Sequence, residues 1–350
     1  MKHKTLIVSS VIVAGLLILL VVASAQAPSI TYQKMTTIAV PGGLTSFDIS
    51  WVDSATERFY LADRTLQKGG GRIDVIDTAA NKLLYTIPTT KSEIGFVGTV
   101  PTTTPGCSVS GPNGVVAVPQ YNQLYVGDGD SNVKVVDLGA KAIVAVIPTG
   151  GKCRADEIGY DPLDHIIMIA NPNDVPPFVT FISVDTQQVL GHFVYTNKMG
   201  GLEQPVWNRL TKRFYITVPA TASTVGSVDV FNPITMMMEA SYSTPAGSPA
   251  GLALTASQHL FTSFGTVLDA RTGNILSTIS GVGGDEIWYN PGENRVYYGA
   301  TGGSVGVVDG DTNQLIGTIP VNGRNVSVDS ENGRVFVPVT GQGIVVYTAP

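Results

Sequence analysis

The chain has 350 residues, a formal net charge of −6 and a pI near 5.2, an acidity that argues against nucleic acid or an anionic membrane surface as partner. Glycine (39) and proline (21) are frequent, and Val, Ile, Thr and Tyr fill the segments between them. No long apolar stripe at helical spacing follows the N-terminus, so the composition excludes a helical domain and points to an all-β protein.

Lys2 and Lys4 precede an uncharged run from Leu6 to Ala23, and Ala23-Ser24-Ala25 then supplies a small-x-small cleavage signal. This reads as an export signal peptide over residues 1–25. The run is long for that role, which makes an uncleaved membrane anchor the alternative. No Cys follows it, against a lipoprotein anchor. Cleavage removes two lysines and no acid, taking the charge from −6 to −8.

From residue 26 to 350 one phrase recurs. A polar residue opens a strand that carries an aromatic or apolar pair and an Asp or Asn, followed by a tight turn and a Tyr-rich strand. Asp156-Glu-Ile-Gly-Tyr-Asp-Pro162 and Asp285-Glu-Ile-Trp-Tyr-Asn-Pro291 are nearly identical copies. Others begin at Asp48, Asn113, Glu203 and Arg324, with a weaker one near Pro249. Seven units of roughly forty residues predict a seven-bladed β-propeller, a single domain despite its length. A constant offset of seven residues joins Asp53 to Tyr60, Val118 to Tyr125, Asp161 to Met168, Asn208 to Tyr215, Asn290 to Tyr297 and Asp329 to Phe336. That spacing describes the hairpin between a blade's innermost and second strands. A third strand follows, mostly ending in a turn-forming Asp, and then a fourth. The last unit has only three strands, so Tyr32–Val40 is expected to supply its outer strand and close the ring.

Residues 89–112 exceed the pattern, and a loop of this length is either a lid over the channel mouth or an insertion without a role there. It contains Cys107, six residues before Asn113, while Cys153 lies three before Asp156. Corresponding loops of neighbouring blades lie side by side, so a disulfide suited to an oxidising compartment is expected, with two free thiols as the alternative.

In a propeller, equivalent positions meet around the axis. Five residues before each register mark stand Asp48, Asn113, Asp156, Glu203, Asp285 and Arg324, with Pro249 in blade five; the next positions add Glu157, Gln204, Glu286 and Asn325. Converging carboxylates either raise one another's pKa or bind a cation, and oxygen-only donors favour calcium or magnesium. Arg324 neutralises part of the ring or orients an anion. The alternative is a solvated ring, or one that binds loop backbone and holds blades together. Asp128-Gly-Asp130-Ser-Asn132 lacks the Gly and Glu of a calcium loop and reads as a polar hairpin turn. His165, His192 and His259 have no ligand spacing. The aromatic residues of the repeat phrases read as inter-blade core.

Val305-Gly-Val-Val-Asp309 leading to Leu315-Ile-Gly-Thr-Ile-Pro-Val-Asn-Gly323, and Val133-Lys-Val-Val-Asp137 leading to Val144-Ala-Val-Ile-Pro-Thr-Gly150, resemble the YVTN-type repeat β-propellers. The resemblance implies the propeller fold, export, and a binding or interaction role in the periplasm or at the cell surface, toward a protein or small-molecule ligand. A fainter similarity is to the gluconolactonase and senescence-marker propellers. It implies one channel metal held by Asn113, Asp156, Glu203 and Asp285, matched by residue type and blade position only. On that likeness the alternative function is a metal-dependent hydrolase of sugar lactones or esters. A structural surface-layer component is the third.

Overall fold

A computed structural model describes residues 30–67, 69–89, 94–196, 201–299 and 303–349. Residues 1–25, read from the sequence as a signal peptide, lie outside them; among the described residues no helix is long and apolar enough to cross a membrane. Each copy of the phrase becomes one antiparallel hairpin, and the offset of seven has a simple origin. In every such hairpin the residue two before the mark pairs with the residue seven after it: Trp51 with Tyr60, Val116 with Tyr125, Gly159 with Met168, Val206 with Tyr215, Trp288 with Tyr297 and Ser327 with Phe336.

The strands form seven sheets, each built outward from an innermost strand by sequential antiparallel neighbours: a seven-bladed β-propeller. The innermost strands are Phe47–Asp53, Val115–Val118, Ile158–Asp161, Pro205–Asn208, Leu252–Leu254, Ile287–Asn290 and Ser327–Val328. Third strands end in Asp for the reason read from the sequence: Asp77 and Asp137 each accept the backbone N–H three residues on, at 2.7 Å. The sequence did not disclose a register shift in the outermost strand pair of every blade. An extra residue there increases the local twist of each blade.

Tyrosine recurs on the second strands because its ring fills the blade interface while its hydroxyl reaches the next blade. Tyr215 donates to Ala270 O at 2.6 Å, and the Tyr297 and Tyr32 hydroxyls meet at 2.8 Å. Tyr32 belongs to the closing segment. Gln33–Ile38 pairs antiparallel with Gly343–Thr348, giving the last blade its fourth strand as expected. The two residues before it, Ile30–Thr31, add a parallel fifth strand to blade six. The N-terminal segment thus covers the edges of two blades and ties them together.

Blade five departs from the expected register. Ser263 N–H donates to Gly251 O at 2.9 Å, the bond that Ala170 makes to Glu157 O (3.0 Å) in blade three and Gly127 to Gly114 O (2.9 Å) in blade two. Gly251 therefore occupies the Glu157 position, and Ala250, not Pro249, is the ring equivalent. The cause is a tighter hairpin, closed by Thr255 N–H on His259 O where blade seven closes with Asp329 N–H on Arg334 O.

Cys107 and Cys153 form the expected disulfide, with Cα atoms 5.2 Å apart. The long segment's described part, 94–112, packs on blade two: Phe96 is buried under the Lys134 ammonium, and Val97 N–H and Lys134 both reach the Asp128 carboxylate. These contacts make the Asp128 motif a pinned hairpin turn.

Candidate functional site

Where the innermost strands begin, the structure gathers the ring read from the sequence and adds two guanidinium groups. Arg64 Nη1 lies 3.1 Å from Asp48 Oδ2 and donates to Asn113 Oδ1 at 2.6 Å. Arg154 Nη2 lies 2.6 Å from Asp156 Oδ2, and its Nη1 is 3.5 Å from Asp48 Oδ2. Arg324, largely exposed, donates to Asp285 Oδ2 at 2.5 Å. Asn113 Nδ2 donates to Ala155 O at 2.9 Å, joining blades two and three. The remaining ring residue, Glu203, has no hydrogen-bond partner among the described residues, and Asp156, Asp285 and Asp48 all act on its charge.

Arg64 and Arg154 lie outside the recurrent phrase, which is why it does not reveal them. Both were accessible to register reasoning. Arg154 is two residues before Asp156, the spacing that puts side chains on one face of an extended chain. Arg64 follows the second strand, whose end lies beside the start of the first: Arg64 N–H donates to Ser46 O at 3.0 Å. Arg154 is held in place by the segment 94–112. Its neighbour Cys153 carries the disulfide, and its own N–H donates to Ser108 O at 2.8 Å.

One residue deeper, a second tier crosses the channel. Gln204 of blade four accepts Leu252 N–H of blade five (2.7 Å) and Ile287 N–H of blade six (3.3 Å), and donates to Ile287 O (3.2 Å). Glu286 of blade six accepts the Ser50 hydroxyl and N–H of blade one at 3.2 and 3.3 Å. Asn325 of blade seven donates to Asp48 O at 2.7 Å. The same tier holds Gly114 and Gly251, where a Cβ would lie 2.3 Å from Asp156 O and 2.8 Å from Asp285 O, so only glycine allows the strands this close. These bonds pin blades together. Gln204→Ala should destabilise the protein by about 2–3 kcal/mol, because it leaves three buried backbone groups unpaired. Urea denaturation measures this, and a loss of a few tenths of a kcal/mol would remove the pinning role.

Glu157 is the exception in this tier. It is 4 % exposed, and its Oε2 has no hydrogen-bond partner among the described residues. Burial, then Glu203, Asp156, Asp285 and Glu286, push its pKa well above the ordinary range. Burial likewise raises Asp156 to about 7 against the pull of Arg154, and Glu203 to about 8 with Asp156 and Asp285 adding to the effect. Glu286 is raised well above its ordinary value by burial despite the Ser50 bonds, and Asp285 is raised by burial against Arg324. Burial opposes the Arg154 charge, yet Asp156, Asp48, Glu203 and Glu157 together outweigh it.

This donor set does not fit a divalent cation. Among the described residues no three His, Cys, Asp or Glu side chains are grouped as metal ligands. One carboxylate oxygen each of Asp48, Asp156 and Asp285, and Asn113 Oδ1, face guanidinium groups instead. Calcium or magnesium, and the lactone hydrolysis that would depend on it, therefore find no coordination shell in this ring.

Below the second tier the channel widens into a cavity of about 420 Å³. It runs from the level of Glu157, Gln204 and Glu286 to that of Tyr160, Trp207 and Tyr289 near the hairpin turns. Trp51, Trp207 and Trp288, the only three tryptophans of the chain, all line it. Reading the repeat-phrase aromatics as inter-blade core is thus corrected for these residues: they are half-buried and face both a blade and the channel. Trp51 and Trp288 meet edge to face, with centroids 5.4 Å apart, across blade seven, where the equivalent position is the small Ser327. The Tyr160 hydroxyl and Trp207 Nε1 are buried without hydrogen-bond partners among the described residues. A second recess, about 170 Å³, opens on the ring side between Asp48, Arg64, Asp285, Arg324 and Asn325. None of the described residues of 94–112 lines either cavity; what they do is buttress Arg154.

The fold and site together define a seven-bladed propeller with a polar, blade-pinning plug at one end of its channel and an aromatic cavity behind it. No family model matches the chain, and no curated protein is significantly similar to it.

Proposed function

We propose that this protein is a binding module whose ligand is a small, largely apolar molecule held in the central channel. The observation that carries the reading is the aromatic cavity: about 420 Å³, in the range of small-molecule sites, mostly apolar, with a few polar groups at one end. The carboxyl and amide groups of the second tier are mostly engaged with neighbouring blades, which favours a role in shaping the cavity over one in bond making. Export to the periplasm or cell surface fits the disulfide, the apolar leader over residues 1–25 and the YVTN-type resemblance.

Because every tryptophan lines the cavity, intrinsic fluorescence reports its occupancy. Titration with a panel of small aromatic and aliphatic compounds should find members that shift the emission and raise the melting temperature, with Trp288→Ala weakening them about tenfold or more. A panel in which no compound changes either signal, or in which Trp288→Ala leaves the binders unaffected, would refute the reading.

A further inference from the structure

We propose that the channel takes an organic ammonium ion, its apolar body among the tryptophans and its charged head at Glu157; this rests on the channel-binding reading above. Three observations converge on that chemistry. The first is a charge count. Six carboxyl groups meet at this end of the channel (Asp48, Asp156, Glu157, Glu203, Asp285, Glu286) against three guanidinium groups (Arg64, Arg154, Arg324). The guanidinium groups are taken by Asp48, Asp156 and Asp285, and Glu286 is hydrogen-bonded to Ser50. The side chains of Glu157 and Glu203, on adjacent blades, are left without a partner among the described residues.

The second observation is place. Of these two, Glu157 lines the aromatic cavity, and its buried Oε2 has no hydrogen-bond partner among the described residues. A buried carboxyl without a partner is costly unless a donor reaches it. An ammonium head supplies that donor and a charge-assisted bond. A neutral ligand would leave the excess of carboxyls unanswered, an anion would add to it, and a bare metal ion would gain nothing from the apolar walls. The third is the lining: indole faces attract cations as well as apolar surface, so a head near Glu157 and a body between Trp51, Trp207 and Trp288 use both properties.

The groups that act on the Glu157 charge are Glu203, Asp156, Asp285 and Glu286, with Arg154 opposing them. Burial first, and then these carboxyl groups, favour the protonated form of Glu157 when no ammonium ion is bound. When the ammonium ion binds, the carboxyl O–H bond breaks, the proton leaves to solvent, and the carboxylate accepts the ammonium N–H. One positive charge replaces another at the same place.

The test uses the purified protein and two probes of nearly equal shape, phenethylammonium chloride and 2-phenylethanol, titrated calorimetrically at pH 7 in two buffers of different ionisation enthalpy. The expected result is at least about tenfold tighter binding of the ammonium ion, with about one proton released per ion bound and none with the alcohol. Glu157→Gln keeps the size and neutrality of the side chain. It should abolish the proton release and weaken the ammonium ion about tenfold while leaving the alcohol unchanged. Equal binding of the two probes, or an ammonium affinity indifferent to Glu157→Gln, overturns the proposal and leaves the channel reading standing. Binding of neither probe overturns both.

Discussion

Replacing Arg154 by Met should cost about 3–5 kcal/mol of stability at pH 8, the range for removing one partner of a buried ion pair. Arg154 faces Asp156 at 2.6 Å and Asp48 at 3.5 Å, and both acids are more than nine-tenths buried. Met matches much of the volume of the aliphatic stem, so the loss reflects charge more than packing. Asp156 and Asp48 would then face Glu203 and Asp285 with one guanidinium fewer. That cost falls when Asp156 and Glu203 protonate, so the difference between wild type and variant should shrink at pH 5. A packing defect would be independent of pH, and that outcome would refute the electrostatic account. Arg154→Lys should recover part of the loss, since an ammonium group supplies the charge without the two-armed geometry. Opening the Cys107–Cys153 disulfide should move the protein in the same direction, because the disulfide and the Ser108 bond deliver Arg154 to the ring.

The fold was legible because the propeller repeats its own instructions. Six copies of a polar residue five before a register mark named the ring, and the offset of seven after it placed Tyr60, Tyr125, Tyr215 and Tyr297 opposite their partners. The incomplete last blade announced its outer strand. What stayed hidden lies in non-repeating features. Arg64 and Arg154 come from a strand exit and a loop, so no internal comparison marks them. Blade five lost a turn residue, which moved its register by one and exchanged Pro249 for Ala250 at the ring.

The cavity was obscured for another reason. An innermost strand has a blade on each side and the channel in front, so its aromatic residues fit an inter-blade core as well as a channel lining. The neighbours decide: Trp51 and Trp288 meet because blade seven offers only Ser327 between them. The metal reading turns on the same level of detail. Residue type and blade position fitted Asn113, Asp156, Glu203 and Asp285 to a ligand set, but Arg64 and Arg154 from outside the phrase, and Arg324 of the ring itself, each take an oxygen of Asn113, Asp156 and Asp285.

The second large effect is on pH. The protein should be most stable in mildly acidic solution, with a melting temperature about 5 °C or more higher at pH 5 than at pH 8.5. Asp156 titrates at about 7 and Glu203 at about 8, with Glu157 and Glu286 also raised, all chiefly through burial. In the unfolded chain such groups titrate near 4. Between about pH 4 and pH 8 the folded chain therefore binds more protons than the unfolded one, so stability falls as pH rises through that window. The contribution is complete below the unfolded values and lost above the folded ones. Asp269 and Asp309 act in the opposite sense. Against the effect of burial, turn N–H groups hold their pKa below the ordinary value, so their contribution disappears only on further acidification. The two trends set the maximum between them. Scanning calorimetry from pH 4.5 to 9 locates it, and a maximum near pH 8 would show that the buried carboxyls are ionised and compensated in the folded state. Glu203→Gln should flatten the alkaline slope, because it removes one proton-binding group and relieves Asp156 and Glu157 of a neighbouring charge. The same excess of carboxyls that makes the ring demand protons makes the cavity behind it receptive to a cation, so an occupied channel should lose much of this pH dependence.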